Sequence, residues 1–458
     1  MNLERSPRLL DPLFTGDRMR GIFSDRSRLE GMLRFEAALA RAEARVGVIP
    51  SSVVPTIESQ CRAELFDIEK LGCATALAGN PAIPLVKELT ALVAQRGGEA
   101  GDFVHFGATS QDAIDTGLVL QLRDALDLIE SNLSALSGIL AGLAAAQKNT
   151  PLAGRTWLQQ AVPVTFGLKA AGWLSAVERH RARFREMRPR VLVLQFGGAA
   201  GTLASLGKNG LQVAEALAVE LGLAVPDVPW HAHRDRVAEV ATTLGLLAGT
   251  LGKIARDISL LMQTEIGEAF EPAAEGRGRS SAMPQKRNPV GSAVALSAAI
   301  RVPALVSVML TAMVQENERG MGNWHAEWET LPEICTLTAG ALQHMTQVLE
   351  GLELDVTQMA KNLDATGGQI LAESIAMALS ADMGRPRAKS LVEQACRQAS
   401  QQKRHLRDVL MENPQVREQL SSSELDELFN PSNYLGLAEE LVDRALGARF
   451  KKSHSDSE

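Results

Sequence analysis

The chain has 458 residues, which predicts two or three folding units, and its 45% apolar against 22% charged residues supply a sizeable core. Aromatic residues make up only 4%, with a single tyrosine, so that core is built from Ala, Leu and Val and suits helix packing better than a sheet. A formal charge of −7 argues against nucleic acid or an anionic membrane as the main partner, while leaving room for a local cationic pocket.

The opening stretch "MNLERSPRLLDPLFTGDRM" has no apolar signal core. No run of about 20 uncharged apolar residues occurs anywhere, so a cytoplasmic protein with no membrane span is expected. Gly and Pro cluster at 79–84 ("GNPAIP") and 94–107 ("AQRGGEAGDFVHFG"), which ends an N-terminal helical unit at 1–105. A long helix is predicted from about 112 to 148, striped by Leu118, Leu122, Leu126, Ile129, Leu133, Leu136, Leu140 and Leu143. Shorter ones follow at 164–187 and 205–222, with the glycines of "RVLVLQFGGAAGTL" reading as a loop between them. Between Pro229 and Pro272, Val237, Val240, Leu244, Leu247, Leu251, Ile254, Ile258 and Leu261 alternate steps of three and four, the seam of a bundled helix. At about 1.5 Å per residue it spans roughly 50 Å. Gly245, Gly249 and Gly252 within it allow close backbone approach. Further helices are expected at 290–315 and 335–362. The central unit is therefore read as 106–355, and a shorter, more polar C-terminal unit as 356–458, ending in a disordered tail. The expected class is all-α, with three helical domains. Its long seamed helices expose too much surface to stand alone and predict oligomerisation.

Three polar islands interrupt this apolar pattern: "VHFGATSQDAIDTG" (104–117), "GRTWLQQAVPVTFG" (154–167) and "EGRGRSSAMPQKRNPVG" (275–291). Each adjoins a long helix, as in a site assembled where helices meet. Thr109, Ser110 and Gln111 precede a helix whose amides and hydroxyls either cap it or hold a carboxylate. His105 reads either as a structural histidine or as part of that site. Cys61, Cys73, Cys335 and Cys396 lie far apart without metal spacing, and no dinucleotide fingerprint occurs, so neither metal nor cofactor is expected.

"SSAMPQKRNP" resembles the signature loop of the fumarase/aspartase superfamily, roughly G-S-S-x-M-P-x-K-x-N-P, and the other two islands resemble its remaining signature regions in the same order. Residues 367–395 resemble the C-terminal domain of the adenylosuccinate-lyase branch. The resemblance implies a homotetramer whose middle domains form one large bundle, with active sites shared between subunits. It implies Ser280 as the residue exchanging a proton with carbon, and Lys286 and Asn288 as ligands of the substrate carboxylate whose charge grows. Thr109, Ser110 and Gln159 become further substrate contacts, with Gln111, Ser281 and Arg287 beside them. The chemistry agrees: a proton next to a carboxylate moves only through a doubly charged aci-carboxylate, which Lys286, Arg287 and the Asn288 amide suit. A serine hydroxyl needs a dry, electropositive setting to take part.

The superfamily's lyases carry His after G-R-T and Glu seven residues after the loop lysine; here those positions are Trp157 and Ala293. Losing both members of one proton-handling pair points to a step no longer required. Hydroxide, ammonia and amines need that help, whereas a carboxylate of pKa about 4 leaves or attacks unaided. "GRTWLQ", 192–207, 251–265 and "NWHAEWETLPEI" (323–334) resemble the superfamily's lactonising branch. That implies conversion of 3-carboxy-cis,cis-muconate to 4-carboxymuconolactone in protocatechuate degradation, the β-ketoadipate pathway. Trp157 would then wall a planar diene, and Arg279 either clamps a further carboxylate of the tricarboxylate or faces solvent. Ser280 is the first choice of proton donor, with Lys286 or His105 as alternatives. His325 and Glu327 either line the site or bury an ion pair. An amine lyase like adenylosuccinate lyase is the rival enzyme reading, and a non-catalytic structural protein on the same fold the other.

Overall fold

The computed structural model describes residues 9–273, 276, 278–280 and 282–455. Within them the expected all-α class is borne out: strands occur only as two antiparallel pairs. The six longest helices are α1 (Asp25–Val46), α2 (Ser110–Ala146), α3 (Phe166–Val191), α4 (Asp235–Leu261), α5 (Val290–Ala312) and α6 (Asn323–Glu350). The strands are β1 (Pro151–Thr156) paired with β2 (Gln159–Thr165), and β3 (Ala269–Phe270) paired with β4 (Glu353–Leu354).

Every seam residue of α4 from Val237 to Leu261 is buried, as the period of three and four requires. A Cβ at Gly252 would meet the Ala299 side chain of α5 at 2.4 Å, and one at Gly245 would meet Val306 at 3.0 Å, so these glycines do permit close approach. Gly249 faces open space instead. The helix expected from 335 begins twelve residues earlier, at Asn323, and runs through Pro332. A proline inside a helix orphans the carbonyl four residues back. Here that carbonyl belongs to Trp328, and Arg28 of α1 donates to it at 2.9 Å. A tertiary partner has overridden the local signal.

The chain divides into two compact units: α2 to α6 each contribute to both, and α1 lies in unit one. Unit one comprises the chain up to Leu133, His180–Gly252 and Val294–His344; unit two comprises Ser134–Arg179, Lys253–Ala293 and the chain from Met345. In unit one, Gly31 of α1 lies against Gly117 of α2 so closely that a Cβ would stand 2.9 Å from its carbonyl oxygen. In unit two, Ile375, Leu379, Leu391, Val392, Leu410 and Leu425 form the core of the C-terminal helices. By length and composition alone α2, α4 and α5 are apolar enough to cross a membrane. The most apolar window of α5 is only 28% buried within one chain.

Candidate active site

Unit one holds His105, Thr109, Ser110 and Gln111 at the entry of α2. The organiser is Asp112, whose carboxyl is wholly buried. It accepts the amides of Thr109 (3.0 Å), Gly197 (3.1 Å) and Gly198 (3.0 Å), the Gln195 side chain (3.1 Å), and contacts His231 Nε2 at 2.8 Å. One acid thereby ties the 104–110 segment to the glycine loop at 195–201. Arg319 adds a second tie, donating to the Thr109 hydroxyl (3.1 Å) and the Ala199 carbonyl (3.0 Å). Among the described residues the Thr109 hydroxyl only accepts, which leaves its own O–H available to donate. Ser110 stands half-buried at the first turn. Gln111 is turned inward, its amide donating to Asp115 (3.0 Å) and to the His231 carbonyl (2.9 Å).

His105 pairs with Glu36 of α1, Nδ1 to Oε1 at 2.6 Å. Burial disfavours charge on this imidazole, but the attraction and hydrogen bond of Glu36, aided by Asp112, outweigh it and raise its pKa above the ordinary 6.5.

A buried ion cluster lies beneath this entry. Arg234 bridges Asp115 (2.7 and 3.1 Å) and Glu327 (2.6 and 3.0 Å), all three side chains being 1% exposed. Trp324 Nε1 donates to Asp115 at 3.1 Å, and Gln315 to Glu327 at 3.2 Å. Of the two readings left open for Glu327, the buried ion pair is the one realised. His325 packs against the rings of Trp324 and Trp328 and reaches the Gly79 carbonyl at 3.2 Å.

Unit two holds the other two islands. The second is the β1–β2 hairpin, which runs directly into α3 as the island's place beside a long helix implied. Trp157 and Leu158 form its two-residue turn, both in the left-handed region (φ +53° and +63°), and are 97% and 76% exposed. Gln159 opens β2 beside them, exposed. Such turns favour Asn and Gly because L side chains enter that region at a cost of about 1–2 kcal/mol. Leu158→Asn should therefore raise stability by about 1 kcal/mol, read as a higher denaturation midpoint; an unchanged or lower midpoint would show the tip to be unstrained. The hairpin's base is fixed by Arg155, which forks onto buried Glu268 at 2.7 and 2.8 Å, while Asn362 donates to the same carboxyl at 2.8 Å.

The third island is a hairpin-like loop. The Asn288 amide donates to the Gly278 carbonyl at 2.9 Å, and Arg279 pairs with Arg287 across it. Gly278 has φ +66°, and a Cβ there would meet the Asn288 carbonyl oxygen at 2.5 Å, so no other residue fits. Arg287 forks onto Glu353 (2.9 Å twice), donates to the Glu271 carbonyl, and lies over the Phe270 ring. It anchors the root of the loop. Glu271 in turn accepts the Gly291 and Ser292 amides at 2.9 and 2.7 Å, capping α5. Ser280 Oγ accepts the Met283 amide at 3.1 Å. Lys286 is exposed and forms no ion pair among the described residues. Ser281 lies outside the described residues.

Sequence reasoning missed Asp112, Glu36, Asp115 and Arg234. One signal was present: Glu36 and Glu43 stand seven residues apart on the buried face of α1, where only apolar side chains are expected.

Residues 14–304 match the lyase family and 368–445 match the adenylosuccinate lyase C-terminus, so the chain belongs to the lyase family, as the signature loop implied. It is 60% identical over 438 residues to a 3-carboxy-cis,cis-muconate cycloisomerase of Pseudomonas aeruginosa, covering 96% of this chain and 95% of the relative. A second relative of that name, from Pseudomonas putida, is 56% identical, with 91% and 99% covered. Among solved structures, the 3-carboxy-cis,cis-muconate lactonizing enzyme of Pseudomonas putida superimposes with a TM-score of 0.94 at 55% identity, covering 97% of this chain and all of that one.

Proposed function

We propose that the chain is a cycloisomerase that closes 3-carboxy-cis,cis-muconate to 4-carboxymuconolactone in the cytoplasm, by intramolecular carboxylate addition and protonation of the neighbouring carbon. One observation carries this assignment beyond the family: the position where lyases bear the proton-shuttling imidazole is Trp157, and its acidic partner's position is Ala293. The attacking carboxylate is ionised near pH 7 and requires no base. Carbon does require a proton, because addition leaves an aci-carboxylate.

Ser280 donates that proton. Lys286 and Asn288 hold the carboxylate on which charge develops, with Arg279 and Ser281 beside it, and Thr109, Ser110 and His105 hold another. Trp157 and Gln159 supply a flat wall. Gln111 and Arg287 act through the frames described above, bracing the α2 entry and the loop root. The three-domain division stands as part of the same assignment. A homotetramer with shared sites agrees with two exposures. Trp157 and Leu158 project from the hairpin tip, and Ile300, Val308 and Leu310 of α5 are exposed apolar side chains that copies of the chain would cover.

The test offers the purified protein 3-carboxy-cis,cis-muconate and follows the diene absorbance, with adenylosuccinate in parallel. Loss of absorbance with lactone formed is expected. Fumarate release from adenylosuccinate without diene loss would make the chain an amine lyase, and inertness toward both would favour a structural role.

A further inference from the structure

Glu36 has no task in that reaction, yet its surroundings are those of a built device. Its carboxyl is 2% exposed, and Oε2 has no partner among the described residues, so the His105 ring at 2.6 Å is its sole close counter-group. A buried carboxylate left without a cation is costly, and an imidazolium at this distance removes the cost. The His105 backbone is held at φ +58°, a region non-glycine residues enter only under constraint, and such residues gather at functional sites. Nδ1 is spent on Glu36, while Nε2, on the opposite edge, has no partner among the described residues and is not sealed from solvent.

We infer that Glu36 is a positioning residue: it takes the Nδ1–H of His105, fixes the ring, and leaves Nε2–H as a cationic donor for one carboxylate of the substrate. This rests on the tricarboxylate assignment above. The other groups around the ring leave it that role. Asp112, facing it from α2, is already satisfied by its own ring of donors, His231 among them. Arg319 beyond it is engaged with Thr109 and Ala199. Behind Glu36 on α1, burial and then the charge of Glu36 push Glu43 up to about 9, so it is neutral near pH 7 and does not compete for the imidazole. Burial also pushes up the Cys61 thiol, and Arg41 and Glu58 next to it pair with each other.

The experiment compares the pH dependence of kcat/KM for 3-carboxymuconate in the full-length protein, Glu36→Gln and Glu36→Asp. Histidine labelled with 13C at Cε1 reports the titration of His105 directly, its resonance identified by loss in His105→Gln. Activity that needs imidazolium fails as pH rises through the His105 pKa. Glu36→Gln should therefore move that alkaline limb to lower pH by at least about one unit, tenfold in proton concentration, and Glu36→Asp should restore part of it. A purely structural pin would change stability and leave the limb in place. An unmoved limb, or a wild-type His105 resonance titrating at or below 6.5, overturns the inference. If Glu36→Gln does not fold, the wild-type titration still decides. If the muconate is not turned over, the substrate assignment falls while the same titration judges the pair.

Discussion

Ser280→Ala is expected to lower turnover of 3-carboxymuconate by about 10³-fold, within the 10²–10⁴ range that general acid–base groups contribute. The carboxylate attack alone does not complete the reaction, because the aci-carboxylate it creates reverts unless carbon is protonated. At 1.36 kcal/mol per factor of ten, the loss corresponds to about 4 kcal/mol of transition-state stabilisation. The methyl group also deletes the acceptor for the Met283 amide, a bond at 3.1 Å in an exposed turn. Such a bond contributes only about 1 kcal/mol, and the amide can turn to water. The denaturation midpoint of the variant should therefore stay within a degree or two, which separates a chemical from a folding effect. The KM should change little if the serine acts only in the transition state. Turnover within tenfold of wild type would move proton donation to Lys286 or His105 and leave the fold assignment untouched.

The features legible in the sequence were those written as local periodicity or as contiguous motif. The α4 seam is of the first kind: its three-and-four spacing predicts a buried stripe, and burial from Val237 to Leu261 follows. The signature loop is contiguous, so Ser280, Lys286 and Asn288 could be singled out without coordinates. What escaped is long-range. Asp112 looks like one more polar residue after a helix cap, and its role depends on amides 85 and 86 residues away. Glu36 meets His105 across 69 positions. The β1–β2 hairpin escaped for another reason. Its turn carries Trp157 and Leu158 where Asn-Gly chemistry would mark a hairpin, and Pro163 sits in its second strand, so every local rule argued against it. Likewise the helix runs through Pro332 where Arg28, far off in sequence, donates to the Trp328 carbonyl that the proline leaves orphaned. In each case a distant group supplies what the local chain lacks.

The same logic gives the largest stability effect. Arg234→Met should destabilise the protein by about 3–5 kcal/mol, because it strands two carboxyls that are 1% exposed. Burial already pushes Glu327 above the usual carboxylate range even with Arg234 beside it, and the charge of Asp115 adds to that. Without the guanidinium the folded-state pKa of this site rises further while the unfolded value stays near 4.5. The sign follows from proton uptake: between those two values the folded state binds more protons, so stability increases as pH falls. The deficit of the variant should therefore be full near pH 8 and shrink as the pH approaches 5, measured by urea denaturation at fixed ionic strength. Wild type should show the same gain but smaller, because Arg234 keeps Glu327 closer to the ordinary value. A variant that also replaces Asp115 and Glu327 with leucine removes the stranded charges and should recover part of the loss. Recovery would be partial, because Trp324 Nε1 and the Gln111 amide lose their acceptor. A pH-independent deficit in Arg234→Met would mean that lost packing against Trp230, 4.9 Å from the guanidinium carbon, outweighs the electrostatics.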